Sequence, residues 1–111
     1  MSVLGDTLAG QVLDQESKCR ERTAQDPWRT RFHILPPTGW LNDPNGLCWY
    51  QGKYHFYFQY APFSPEGGLK FWGAYTSTDL TDWKYEGIVL LPDSPWDCHG
   101  VYSGSALTED R

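Results

Sequence analysis

Apolar residues in the first part of the chain recur at roughly helical spacing. Polar and charged side chains fall mostly between them, and no proline interrupts residues 2–24. The pattern predicts a helix that packs on the outside of the folded body, although Gly5 and Gly10 weaken its helix propensity. Its expected apolar face is formed by Val3, Leu4, Leu8, Val12, Leu13 and Cys19. Asp26-Pro27 ends the region, and residues 32–39 form an extended lead-in.

Beyond residue 46 the pattern changes to short apolar runs separated by turn signals. Four strands are predicted, at 47–50, 54–60, 71–77 and 83–91, with a hairpin turn at 51–53. In the second strand the two faces alternate as Tyr54, Phe56, Phe58 and Tyr60 against His55, Tyr57 and Gln59. Consecutive antiparallel strands joined by short turns are typical of one blade of a β-propeller.

Residues 92–99 form a predicted loop, and 100–107 are predicted to be the first strand of a second unit. A blade buries its faces against neighbouring blades, so one blade and one strand leave apolar surface uncovered. The chain is therefore expected to be part of a longer protein.

Composition narrows the classes of function. The 111 residues include 40% hydrophobic residues, as expected of a folded domain, with eleven Gly and eight Pro that favour turns. The net charge of −5 comes with no basic stripe, which excludes a nucleic-acid surface. A neutral or small anionic ligand fits this charge.

The number and spacing of the cysteines indicate a reducing compartment. Cys19, Cys48 and Cys98 are odd in number and lack metal-ligand spacing, so free thiols in a reducing compartment are expected. The N-terminal residues lack a secretion signal and no stretch is long enough to span a bilayer, which predicts a cytoplasmic location. The three histidines show no metal spacing either, so no metal site is expected.

The stretch from Trp40 to Gly46 carries the candidate chemistry. Pro44 favours extended geometry at Asp43, and Asn45-Gly46 tolerates positive φ, so the main chain is expected to bend tightly and hold the carboxylate. Such a run can be turn chemistry alone. Because strongly aromatic sequence follows, the preferred interpretation is a sugar-binding cleft beside a fixed carboxylate.

Five blocks together resemble the β-fructosidases of glycoside hydrolase family 32. They are 40–46, 57–60, 71–73, 78–83 and 100–106, and the resemblance covers roughly 32–111. It implies an all-β fold: the first blade and the start of the second blade of a five-bladed β-propeller, preceded by an N-terminal helix. Residues 1–31 would then be the helix and linker, and 32–111 the N-terminal part of the catalytic propeller. The implied activity is release of fructose from sucrose or sucrose 6-phosphate with retention.

The resemblance also assigns roles. Asp43 matches the family's nucleophile. The resemblance implies that Asn42 and Gln59 bind fructose hydroxyls and that Trp40 and Trp72 form pocket walls. It also implies that Tyr102 and Ser103 reach the substrate from the second blade. Retention needs two carboxyl groups roughly 5 to 5.5 Å apart. The family's acid/base and stabilising carboxylates lie in blocks beyond residue 111, so residues 1–111 alone are expected to be inactive. No cofactor is implied, since carboxyl groups and water suffice.

Two departures from the family pattern concern the side of the leaving group. Ala74 stands where many members have His, and Gly67 stands near the position of a frequent Trp. Selection of a phosphate would need a Lys or Arg on that side, and the sequence does not distinguish Lys53, Lys70 or Lys84 for it. A fructan exo-hydrolase and a non-catalytic carbohydrate-binding propeller remain alternatives.

Overall fold

Within residues 2–109 the fold consists of one antiparallel sheet with one helix against it. The computed structural model describes residues 2–109, with elements α1 (Val3–Ala24), β1 (Trp40–Tyr50), β2 (Lys53–Ala61), β3 (Phe71–Ser77) and β4 (Lys84–Leu90). Each strand pairs with the next in chain order, giving the sheet β1-β2-β3-β4. The predicted meander is confirmed, including a hairpin at Gln51-Gly52 where both residues have positive φ.

The core lies between α1 and one face of the sheet. Phe58 and Tyr60 of β2 and Phe71 of β3 are fully buried, and Val12 of α1 packs into the same cluster. Every residue of β3 is buried, because β2 and β4 flank it. The predicted alternation along β2 is confirmed, since Phe58 and Tyr60 face the helix while Gln59 bonds to the segment on the other side. The division at residues 31 and 32 stays a prediction.

The predicted apolar face of α1 is partly wrong. Val3, Leu4 and Leu13 are exposed, whereas the buried residues of the helix are Gly5, Val12 and Glu16. Positions 5, 12 and 16 lie on one stripe of a helix. Glu16 was expected among the polar positions, and it is buried because the sheet supplies donors for its carboxylate.

Those donors are two tyrosine hydroxyls. Glu16 Oε1 accepts a hydrogen bond from Tyr60 at 3.0 Å and from Tyr85 at 2.7 Å. Burial and the adjacent carboxylate raise the pKa of both phenols above the usual value. The pair of bonds ties the middle of α1 to β2 and β4 together.

The stretch from Trp40 to Gly46 lies within a strand and is not a bend ahead of one. β1 begins at Trp40, seven residues before the predicted start at 47, and its pairing with β2 shifts register between Leu41 and Pro44 and again between Asn45 and Cys48. Such irregularities bend a strand without ending it. Positive φ at Gly46 confirms the expected local bending.

Residues 100–107 do not form the predicted strand. They run across the face of the sheet opposite α1, joined to it by one backbone bond from Val101 N to Lys70 O at 2.9 Å and by side-chain bonds. A strand requires a ladder with a neighbouring strand, and the part of the chain from 2 to 109 places none beside this segment. We call residues 101–107 the crossing segment. In the same range no helix is both long and apolar enough to cross a bilayer.

Candidate functional site

Asp43 is held between two distant parts of the chain. It lies in the irregular stretch of β1, and its Oδ2 accepts a hydrogen bond of 2.6 Å from the Ser103 hydroxyl of the crossing segment. Pro44 follows it in the extended strand, as the sequence predicts. The carboxylate therefore has a fixed main chain on one side and a donor on the other.

The surroundings of Asp43 favour its charged form. The hydrogen bond from Ser103 is the largest cause that holds the pKa of this carboxyl below its usual value, and Asn42 and the positive charge of Lys70 act in the same sense. Asp43 is thus ionised across the neutral range. An ionised carboxylate can act as a nucleophile without first losing a proton.

Next to Asp43 runs a row of hydrogen bonds that joins three predicted site residues. The Trp40 indole Nε1 donates to Asn42 Oδ1 at 3.1 Å, and Asn42 Nδ2 donates to Gln59 Oε1 at 2.5 Å. Gln59 Nε2 then donates to the carbonyl oxygen of Val101 at 3.1 Å. The structure therefore brings Trp40, Asn42 and Gln59 into one connected row beside the carboxylate.

Trp72 and Tyr102 are placed differently from the remaining site residues. Trp72 is only 7% exposed and lies under the crossing segment, where its Nε1 donates to the Tyr102 carbonyl oxygen at 3.1 Å. Tyr102 itself is 78% exposed. Trp72 supports the segment in this structure, and its role as a pocket wall stays a prediction.

The site is open. Asp43 and Ser103 are exposed, and Trp40 is 42% exposed. A β-propeller arranges its blades around a central channel, so one blade supplies only one side of a site at that channel. Among residues 2–109 no group of His, Cys, Asp or Glu side chains could hold a metal ion.

Two residues at the site were not assigned from the sequence. Asn45 was interpreted as a turn former, yet it is buried, and its Oδ1 accepts from the Gly104 amide at 3.2 Å. Its Nδ2 is buried and lacks a partner among the described residues. Lys70 places its ammonium 5.7 Å from the centre of the Trp40 ring. The position of Asn45 within the 40–46 motif could have indicated its place in the site. No sequence signal marks Lys70.

Residues 33–111 match the model described as "Glycosyl hydrolases family 32 N-terminal domain". A sucrose-6-phosphate hydrolase of Bacillus subtilis (strain 168) is 53% identical over 110 residues, which cover 99% of this chain and 23% of that protein.

Two solved structures agree with the fold. The sucrose-6-phosphate hydrolase from Lactobacillus gasseri has a TM-score of 0.82 at 40% identity, covering 88% of this chain and 20% of that one. A β-fructofuranosidase from Bombyx mori has a TM-score of 0.83 at 30% identity, covering 95% of this chain and 22% of that one. The chain thus spans about a fifth of the length of the proteins it matches.

Proposed function

This chain belongs to glycosyl hydrolase family 32, and we propose that the complete protein releases fructose from sucrose or sucrose 6-phosphate with retention. The substrate class is supported by the similarity to sucrose-6-phosphate hydrolases. The observation that carries the proposal is the Ser103–Asp43 hydrogen bond beside the row from Trp40 to Gln59. It gives an ionised nucleophile with amide and indole groups next to it.

In the proposed reaction Asp43 attacks the anomeric carbon of the fructosyl unit. The bond from that carbon to the leaving oxygen breaks, a second carboxyl group protonates the leaving oxygen, and water then hydrolyses the fructosyl–Asp43 ester. The hydroxyl of Ser103 holds the carboxylate in its charged form and fixes its orientation. We propose that the second carboxyl group comes from the remainder of the protein.

The other site residues bind the sugar in this proposal. Asn42 and Gln59 each carry an amide that donates and accepts, as the hydroxyl groups of fructose require. Trp40 offers a partly exposed indole face for a sugar ring. In this proposal Trp72 forms the pocket wall beneath the crossing segment, where its indole is buried. Tyr102 would contact the sugar with its exposed side chain.

A test of the proposal replaces Asp43→Asn in the full-length protein. The amide keeps the shape but cannot form the ester, so fructose release should fall by about 10⁴-fold or more while the folded state persists. Asp82→Asn, an exposed aspartate in the turn before β4, is the matched control and should keep its activity. Retained turnover in Asp43→Asn, with a normal thermal unfolding curve, would refute the assignment of the nucleophile.

We also propose a cytoplasmic location. All three cysteines are free thiols in the structure, and Cys98 is exposed. Free, accessible thiols are typical of a reducing compartment. Fractionation of cells that produce the full-length protein would test this, and recovery in the secreted fraction would contradict it.

A further inference from the structure

The ammonium of Lys70 lies beside the candidate site and next to its exposed indole. Its Nζ is 5.7 Å from the centre of the Trp40 ring, within the range of a cation–π contact. Its charge also acts on Asp43. Lys70 is thus a cation close enough to the nucleophile to affect what binds there.

A glycine with positive φ lies next to this ammonium. Gly67 has a φ of +100°, and a Cβ built on it would lie 3.4 Å from Lys70 Nζ. A Cβ at position 67 would therefore be in van der Waals contact with the ammonium, and the positive φ favours glycine there. The family resemblance puts position 67 on the side of the leaving group, and the structure puts the Lys70 ammonium next to that position.

The stem of Lys70 is fixed by the start of the crossing segment. The Lys70 carbonyl oxygen accepts from Val101 N at 2.9 Å, and its Cβ and backbone N each lie 3.4 Å from the position of a Cβ at Gly100. Residue 70 is half-buried and directly precedes β3. The side chain therefore starts from a defined point and can reach only a limited region of the site.

The charge of Lys70 is available for an anionic ligand. Lys18 pairs with Asp14 and Lys84 with Glu86, whereas Lys70 has no carboxylate within ion-pair distance among residues 2–109. The charge of Lys53 lowers the pKa of the Glu86 carboxyl, so Lys53 lies near the Lys84–Glu86 pair. Among the three lysines that the sequence left equivalent, only Lys70 combines proximity to Asp43 with an unpaired charge.

We propose that Lys70 selects a phosphorylated leaving group, its ammonium pairing with the phosphate of sucrose 6-phosphate while Trp40 contacts the sugar ring. The inference rests on the proposed function, because it requires sucrose 6-phosphate to be cleaved at Asp43 with its leaving group within reach of the Lys70 ammonium. A hydrogen-bonded ammonium–phosphate pair in a partly buried site contributes about 10- to 100-fold in affinity. An unphosphorylated sugar gains nothing from it.

The first experiment measures kcat/KM of the full-length protein for sucrose 6-phosphate and for sucrose. In wild type the ratio should favour the phosphorylated sugar, in Lys70→Met it should fall at least tenfold, and Lys70→Arg should keep most of it. Lys84→Met, which removes a lysine near Glu86, is the matched control and should leave the ratio unchanged. An unchanged ratio in Lys70→Met, or a wild type without preference, overturns the role of Lys70.

The second experiment reads binding without turnover. Calorimetric titration with glucose 6-phosphate should show binding to wild type that weakens at least tenfold in Lys70→Met, with glucose as the unphosphorylated control. Equal binding by both proteins overturns the inference even if the enzyme is active. The wild type could also bind glucose 6-phosphate through Lys70 and yet hydrolyse neither sugar. That result would support the anion site and refute the proposed function.

Discussion

Ser103 and Asp43 are hydrogen-bonded at 2.6 Å although 60 residues separate them in the sequence. The donor comes from the crossing segment and the acceptor from the first strand of the sheet. The ionisation of the proposed nucleophile therefore depends on a part of the chain outside its own sheet.

Ser103→Ala in the full-length protein should move the acidic limb of the pH–rate profile to higher pH. The hydroxyl stabilises the carboxylate and holds the pKa of Asp43 below its usual value, so its loss raises that pKa. A larger fraction of Asp43 is then protonated at acidic pH and cannot attack. The measurement is kcat/KM against pH, which reports the ionisation of the free enzyme.

Ser105→Ala is the matched control for this substitution. Ser105 is an exposed serine two residues along the crossing segment, and it should leave the acidic limb in place. An identical profile in both variants would mean that the hydroxyl of Ser103 does not act on Asp43.

Gln59→Leu should lower both stability and substrate affinity. The amide is 8% exposed and joins Asn42 to the Val101 carbonyl, so leucine leaves both groups without this partner. An unsatisfied buried polar group costs about 1–3 kcal/mol. Urea unfolding and KM of the full-length protein would measure the two effects. Gln11→Leu, on the exposed side of α1, should change neither, and a stable Gln59→Leu protein with normal KM would contradict the assignment.

Glu16→Ala should weaken the docking of α1 on the sheet. The substitution removes the acceptor that the hydroxyls of the buried Tyr60 and the half-buried Tyr85 share. We expect a loss of about 2 kcal/mol in the free energy of unfolding and faster hydrogen exchange along α1. Glu21→Ala, which removes an exposed glutamate of the same helix, should have little effect. Alanine has a higher helix propensity than glutamate, so propensity alone would not lower stability in either variant. Equal losses in the two variants would therefore contradict the role of the tyrosine pair.

Gly73→Ala should destabilise the sheet. A Cβ at this position would overlap the ring of Phe58, which is fully buried and packed on Tyr75, so the ring must shift. Overpacking of this kind costs about 1–3 kcal/mol. The same change at Gly10, which has open space around it in the middle of α1, should instead stabilise by about 0.5–1 kcal/mol. Thermal unfolding of both variants checks the opposite signs, and a neutral Gly73→Ala would contradict the packing.

The elements of the sheet could be predicted because their local chemistry agrees with the final structure. The period-two pattern of β2 places Phe58 and Tyr60 on the core face, and the hairpin residues at Gln51-Gly52 take the positive φ that a two-residue turn requires. The proximity of Trp40, Asn42 and Gln59 was predicted only through the family resemblance. No local pattern relates position 42 to position 59.

The errors came from contacts between distant segments. Glu16 was assigned to the polar side of α1, since a sequence cannot show that two phenol hydroxyls from β2 and β4 meet its carboxylate. The first strand was predicted to begin at 47 and begins at Trp40, because register shifts against β2 accommodate Pro44 and Gly46 within β1. The crossing segment has the composition of a strand but lacks a ladder partner within residues 2–109.

The row of bonds from Trp40 to Val101 has a fixed direction. An indole N–H can only donate and a carbonyl oxygen can only accept, so the two end groups dictate which way both intervening amides face. Rotating either carboxamide by 180° would place two donors or two acceptors against each other. The protein therefore presents an incoming sugar with a polarity that is already set before binding, and the ligand has to match it.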